Sequence, residues 1–536
     1  MKNFVRLLSL SCALGAMSCP AYAATLVVPT DYPGIQSAID AAVPGDTVYL
    51  QAGTYRESLK LAEGIHLVGE SAESVVLSNG PDWAILQANG IGYGSVENLT
   101  LLNDSAAWTT GIYFQDAAID LLGVRVKGFG NGVTYRGRYD YDLRRYVPTE
   151  RTPVIAESSF EGNNTALTLQ GAMSPVIQYN SFLDNLGSAL YLRQFSSPQI
   201  DANLIEGNGT GIYLFDDCLP AVTDNDILRN TSGMVLAWRS HATIVGNRIS
   251  ENSGDGIWSV SYSSPAITNN IVSRNGGDGL WMFINWAKIQ NNTIVENAGD
   301  GISATWYASL SPDSNIIAHN GGWGIYAGED LTDTRYRGNV YLSYNNLYAN
   351  AAGDYGFQSR IGTGNLFEDP LFRDRARDNY ELRYGSPAID AGTPDVRYLD
   401  PDGSRNDMGA YGGPDALPAT SADPLEEAAA VSAQMVTLPD SAFKNEPTEQ
   451  KASVEEKFGA VISLIDAGNQ IEDAEAKRIY YQGALNKLTN DLLKKCDGHF
   501  GGNPKNDWVT SYEAQSLVYP MLLDLINEVK TLLATL

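Results

Sequence analysis

One unit of sequence recurs along the middle of this 536-residue chain. It reads Asn, any residue, apolar, any two residues, Asn, any three residues, Gly, apolar. Examples are Asn247 to Asn252 with Gly256-Ile257, Asn270 to Asn275 with Gly279-Leu280, and Asn292 to Asn297 with Gly301-Ile302. The second Asn falls at 163, 185, 208, 230, 252, 275, 297 and 320, in steps of 22 or 23 residues. A period that short holds no pair of helices. Within each unit the apolar residues alternate over short β-favouring stretches, as in Gly211-Ile212-Tyr213-Leu214-Phe215, punctuated by Gly, Asn and Ser.

Short strands at a fixed period predict a coil that repeats its own cross-section, each turn pairing in parallel with the next at about 4.8 Å. The Leu-x-x-Leu-x-Leu frame of a leucine-rich repeat is absent. The expected fold is therefore all-β, a parallel β-helix (solenoid) of about a dozen turns. The Asn columns have a structural explanation, because Asn tolerates left-handed turns and stacked Asn side chains bond along a coil. Two glycosylation sequons, at Asn208 and Asn230, read as by-products of that ladder.

Both ends of the repeat carry further patterns. Val28-Pro-Thr-Asp31-Tyr-Pro-Gly-Ile35 through Ala42, then Gly45-Asp46-Thr47-Val48 and Gly53-Thr54-Tyr55-Arg56-Glu57, resembles the N-terminal cap of right-handed parallel β-helix proteins of the pectate lyase-like superfamily. Ile35, Ala38, Ile39 and Ala42 fall on one helical face that can plug the open end of a coil. Downstream, Asp369-Pro-Leu-Phe372, Tyr380-Glu-Leu382, Gly385 to Gly392 and Asp407-Met-Gly409-Ala-Tyr411 resemble the closing segment of secreted β-helix proteins. The resemblance implies a right-handed coil. It leaves function open, because this scaffold hosts lyases, hydrolases, epimerases, adhesins and periplasmic copper-accessory proteins.

Outside the coil, residues 1–23 read as a signal peptide: Lys2 and Arg6, an apolar stretch from Leu7 to Met17, then Ala21-Tyr22-Ala23. The coil is expected over 24–413, a linker rich in Ala, Pro, Ser and Glu over 414–450 with one short helix at 424–433, and a small C-terminal α-helical domain over 451–536. A protein partner acting through that helical module is one expectation. Secreted or periplasmic localisation is another, with no transmembrane segment. With 36 Lys and Arg against 63 Asp and Glu the net charge is -27, which argues against nucleic acid as a partner. Only Cys218 and Cys496 lie beyond the signal peptide, too few for a disulfide framework.

If Gly starts each exposed strand, the next residue points inward and the one after it outward. The inward column, Leu190, Ile212, Met234, Ile257, Leu280, Ile302 and Ile325, is uniformly apolar. The outward column includes Tyr113, Tyr191, Tyr213, Trp258, Trp281 and Tyr326, flanked at the strand ends by Phe195, Trp238, Tyr262, Phe283, Trp286, Trp306 and Tyr307. A core does not need outward rings. Flat rings with polar edges suit sugar faces, and Arg193 beside them can bond hydroxyls, so Tyr191, Arg193, Tyr213, Trp238, Trp258, Tyr262, Trp281, Trp286, Trp306 and Tyr307 are the candidate polysaccharide-binding set. Rings stacked on each other, or covered by a protein partner, are the alternatives.

For bond cleavage the candidates are Asp216, Asp217, Arg239 and His241. Asp216-Asp217 is the acidic pair of this face, with Glu329 and Asp330 several turns along, and glycoside hydrolysis needs two carboxylates. Lyases and epimerases need a base and an enolate stabiliser, which Arg193, Arg239, His241 and Tyr262 could furnish. The Asn-Thr-Asp and Gly-His-Gly motifs of polygalacturonases and the Asp-Pro-His of alginate epimerases are absent. A surface ladder of salt bridges is the plain alternative. Loop 136–151 carries five Arg, with Tyr139, Tyr141 and Tyr146 among them and Tyr135 just before, and reads either as a grip for acidic groups or as a lid whose Arg pair with Asp140 and Asp142. Asp400, Asp402 and Asp407 have the spacing of a Ca²⁺ site without the distal Glu of an EF-hand. Copper handling is weakened by four scattered His, 66, 241, 319 and 499. A non-catalytic surface or adhesion protein remains the alternative to a polysaccharide lyase, epimerase or hydrolase.

Overall fold

A computed structural model describes residues 23–105, 109–328, 339–357, 359–383, 385–418, 424–444, 446–471, 473–505, 507–534 and 536. All but the last residue of the expected signal peptide, and the acidic residues Glu329 and Asp330, lie outside them. The chain divides into two compact units, one ending at Gln199 and one running from Ile200 to Leu536.

In the first unit, helix α1 (Ile35–Ala41) buries Ile35, Ala38 and Ile39, the face expected to plug the coil. Its N-terminal amides are held from outside: the amides of Ile35 and Gln36 donate to the Glu57 carboxylate at 2.9 and 3.1 Å. That satisfies two donors a helix end leaves open and places a negative charge at its positive pole. Three parallel sheets follow, one strand of each per turn. Each contributes an inward column in strict register: Val48, Leu67, Val96, Leu121, Ile155 and Ile177 in one, and Leu86, Ile112, Val133, Leu167 and Leu190 in another. Tyr113, Thr134, Thr168 and Tyr191 form the outward row beside the latter column. An antiparallel hairpin, Arg138–Asp140 with Arg145–Val147, interrupts the period.

The second unit repeats the plan with more regular turns. Its inward columns are Val222, Ile244, Ile267 and Ile289; Ile227, Ile249, Val272, Ile294 and Ile317; and Ile212, Met234, Ile257, Leu280, Ile302 and Ile325. Between sheets the chain must turn with its amides buried, and Asn solves this. Asn252 donates its backbone N–H and its Nδ2 to Asn275 Oδ1 at 3.1 and 2.9 Å, and Asn275 does the same to Asn297. Each Nδ2 also donates to a carbonyl one turn back, as Asn275 does to Ile249. A second ladder runs through Asn225, Asn247, Asn270, Asn292 and Asn315. Asn208 and Asn230 are rungs, buried and bonded through Nδ2, so both sequons are closed in the folded protein.

Residues 366–417 lie along the flank of this coil. Ala388, Met408 and Ala410 pack on Ile271, Val295 and Ile316, and Asn291 Nδ2 donates to Asn406 Oδ1 at 2.8 Å. Beyond them come α2 (Pro424–Thr437), α3 (Pro447–Asn469), α4 (Ala474–Lys487) and α5 (Tyr512–Ala534). Their apolar core is their own: Val431 and Met435 of α2 pack with Val454, Phe458, Tyr481, Val518 and Leu525. The stretch read as linker thus supplies a core helix, four residues longer at its end than the expected 424–433. Among the described residues no helix is long and apolar enough to cross a membrane.

Candidate functional site

In the second unit the outward row is set by pairing: Tyr213, Val235, Trp258, Trp281, Ser303 and Tyr326 stand side by side on successive turns. Trp258 and Trp281 are stacked, ring centroids 5.3 Å apart and planes within 7°. Half-buried, they spend their facing surfaces on each other, and Trp281 Nε1 donates to Thr305 Oγ1 at 3.3 Å. Stacking along the coil is one of the three readings of this column, and for this pair it is what the structure contains.

The rings that face water sit where the strands end. At four corners two successive residues take left-handed backbone: Asp216-Asp217 (φ 69° and 60°), Trp238-Arg239 (53° and 59°), Ser261-Tyr262 (55° and 65°) and Trp306-Tyr307 (46° and 61°). That conformation costs a non-Gly residue on the order of 1 kcal/mol, and here the ladder holds it. The amide of Asp217 donates to Trp238 O, that of Arg239 to Ser261 O and that of Tyr262 to Ile284 O, at 3.0, 3.0 and 2.8 Å. The next residue turns inward and closes the corner, as Ser240 Oγ does by donating to Ala237 O at 2.8 Å. The corner thereby throws Trp238, Tyr262, Trp306 and Tyr307 outward, with exposures of 54, 56, 38 and 46 %, while Trp286, two residues past the left-handed Ile284, is 53 % exposed. Tyr262 and Trp286 stack at 6.2 Å, Trp238 leans on Phe215 at 6.1 Å and Trp306 on Phe283 at 5.7 Å. They form a ridge of rings one turn apart.

The candidate catalytic group meets at the head of this ridge. Arg239 Nε and Nη2 donate to the two oxygens of Asp217 at 2.9 and 2.7 Å, and Nη2 lies 3.8 Å from Asp216. The guanidinium holds the Asp217 carboxyl below its ordinary range, so Asp217 carries no proton to give at neutral pH. His241 is exposed, and its Nδ1 accepts from the Ser264 amide at 3.0 Å. The arrangement is a closed ion pair on a surface corner.

Other expected residues lie elsewhere. Tyr191 and Arg193 belong to the first unit, where the guanidinium sits 5.9 Å from the ring centroid. In loop 136–151, Arg138 pairs with Asp116 and Arg151 with Asp120, not with Asp140 or Asp142; Asp140 instead accepts from the amides of Asp142 and Leu143. Asp400 accepts from the amides of Asp407 and Gly413, Asp402 from Ser404, and Asp407 from the amide of Asp390. Burial pushes the Asp407 carboxyl up to about 7. These carboxylates serve the loop's own backbone, and among the described residues no group of three or more His, Cys, Asp or Glu is placed to hold a metal ion.

A second acidic column escaped the sequence reading although it repeats with the period. Asp255, Asp278 and Asp300 each precede the strand-starting Gly. The amide of Asp278 donates to Asp255 Oδ1 at 2.8 Å and that of Asp300 to Asp278 Oδ1 at 2.7 Å. Ser303 bonds both Asp278 and Asp300, which puts these acids on the outward side beside the Trp pair. Burial, with the charges of Asp255 and Asp300 on either side, raises Asp278 to about 6. The signal is in the sequence as Asp-Gly pairs one period apart.

Among curated proteins no sequence matches this chain. The A-module of the Azotobacter vinelandii mannuronan C-5 epimerase AlgE6 is similar at 15% identity and TM-score 0.42, covering 63% of this chain and 94% of that one. The periplasmic alginate epimerase AlgG is similar at 16% identity and TM-score 0.43, over 63% and 83%. The Dettilon tailspike protein is similar at 14% identity and TM-score 0.42, over 59% and 68%. The family model "Right handed beta helix region" matches residues 84–248, 209–317 and 233–376, more than half of the chain. With the turns within each unit paired in parallel and the repeat matched by that model over more than half of its length, the chain belongs to the right-handed β-helix family.

Proposed function

We propose that this is an exported protein that binds an extended polysaccharide along the aromatic ridge of its second unit. The observation that supports the reading is the set of five rings, Trp238, Tyr262, Trp286, Trp306 and Tyr307, each 38 to 56 % exposed at strand ends on successive turns. A water-soluble coil gains nothing by exposing them, and four of the five, Trp238, Tyr262, Trp306 and Tyr307, sit on strained left-handed backbone. Adjacent turns lie about 4.8 Å apart, close to the rise of one sugar residue, so neighbouring rings reach neighbouring sugars of one chain. Each ring face covered is worth on the order of 1 kcal/mol, and several together give micromolar retention.

Binding is favoured over cleavage at the head of the ridge, because Arg239 and Asp217 already neutralise each other. If bonds are broken, Asp278 is the better proton donor, raised to about 6 beside Trp281. Retention of the protein on a panel of immobilised acidic and neutral polysaccharides tests the reading. Wild type should be retained by at least one, and the Trp238→Ala/Tyr262→Ala/Trp286→Ala variant should not. A wild-type protein that no glycan retains would leave the adhesive surface protein as the better account.

A further inference from the structure

The first unit holds an open cleft of about 520 Å³ on the outward side of its sheet. Its walls come from three successive turns. Lys60, Gln87 and Tyr113 stand in one row, paired strand to strand, and Asn89 and Gln115 in the next outward row of the same strands. Trp83 enters from the turn before its strand, 54 % exposed, its ring edge against Tyr113 at 4.9 Å and 70°. Part of the lining is already fixed. Arg136 bonds the Tyr113 hydroxyl, which donates to Gln115 Oε1 at 3.3 Å, and Gln115 Nε2 donates to Gly137 O at 3.1 Å. Tyr113 and Gln115 therefore have little rotamer freedom left to lose on binding. Lys60 differs: among the described residues no carboxylate lies within 4.0 Å of its ammonium.

These groups have a common chemistry. An exposed indole face beside two amides with both donors and acceptors suits a pyranose ring and its vicinal hydroxyls. An ammonium without a partner at the rim suits one negative substituent on that ring. The cleft volume lies in the range of small-ligand sites, and its open mouth admits a sugar that continues into a chain. We infer that this cleft is a subsite for a single sugar ring bearing a carboxylate, with Trp83 stacking on the ring, Gln87 and Asn89 bonding its hydroxyls and Lys60 pairing with its carboxylate. The site belongs to the first unit and uses none of the ridge residues, so its failure leaves the ridge reading standing.

Saturation-transfer NMR with the mature chain, using methyl glucuronoside and methyl glucoside as probes, tests this. Wild type should bind the glucuronoside about tenfold more tightly than the glucoside, the worth of one well-placed charge pair. Lys60→Gln should bring the two sugars level without loss of the glucoside, and Trp83→Ala should remove both while Trp83→Phe retains them. Both side chains are exposed, so the fold should survive, and Trp238→Ala serves as an unaffected control. Equal transfer in wild type and Trp83→Ala, a preference unmoved by Lys60→Gln, or no transfer to either sugar would each overturn the inference.

Discussion

Arg239 grips Asp217 across one turn of the coil with both ends of its guanidinium, 2.9 and 2.7 Å from the two carboxylate oxygens. The pair sits on a corner where both residues hold left-handed backbone. It is a surface ion pair, so Arg239→Ala should leave the thermal midpoint almost unchanged at high salt and lower it slightly at low salt. Because the folded Asp217 carboxyl lies below its ordinary value, its contribution is present above about pH 4 and is lost as pH falls through the folded value. Thermal scans of wild type and variant should therefore converge in acid. Divergence that grows on acidification would contradict the assignment.

The Asn ladder predicts a large effect from a small change. Asn275→Ala removes the acceptor for two donors of Asn252 and the donor to Ile249 O, all buried. Leaving such groups unpaired costs about 1–3 kcal/mol each, so the variant should lose roughly 3 kcal/mol or more in urea unfolding. Asn275→Asp keeps the acceptor and should lose less. Equal losses would mean that the ladder acts through packing alone.

Asp278 gives a pH signature. Its carboxyl titrates near 6 in the folded chain, against about 4 unfolded, so its contribution is full below pH 4 and falls as pH rises through 6. Asp278→Asn retains the Oδ1 that accepts from Asp300. It should match wild type at pH 4 and exceed it by about 2 kcal/mol at pH 8. A variant that is less stable at pH 8 would show that the charged form is needed by the fold.

The helical module meets the rest of its unit through Arg373. Its guanidinium bonds Glu528 of α5, lies 3.9 Å from Glu427 of α2 and 3.4 Å from Glu381. Burial, then a hydrogen bond to Glu528, pushes the Glu427 carboxyl well above its ordinary range. Stability therefore declines as pH climbs above about 4, the ordinary carboxyl range, toward the raised folded value, and Glu427→Gln should flatten that decline. Arg373→Ala strands the remaining acids and should cost about 3–5 kcal/mol of attachment.

Since the module's apolar core holds no coil residue, a fragment of residues 424–536 should fold cooperatively by itself. Limited proteolysis of the whole chain should spare 428–443, where Ala428, Val431, Met435, Ala442 and Phe443 are buried. Cutting first within that stretch, or a fragment without cooperative melting, would reject the boundary at 424.

The sequence alone determined the coil, its period and which residues of each turn point inward. Those properties follow from alternation within a strand and repetition between strands, both of which are local in the chain. It also marked the Asn columns and the outward aromatics, because a period of 22 or 23 residues aligns them. Tertiary structure decided what those aligned residues do. Trp258 and Trp281 share a row, and only their rotamers turned two candidate platforms into one stack. Trp238 and Tyr262 became the exposed rings because the corner takes left-handed backbone that no residue type there announces. Arg239 closed on Asp217, and burial, with a like charge on either side, lifted Asp278, through side chains that meet one turn away and 22 or 23 residues apart. The cleft at Trp83 lay furthest from view, since the turn from Leu86 to Ile112 departs from the repeat and only strand pairing brings Lys60, Gln87 and Tyr113 into one row.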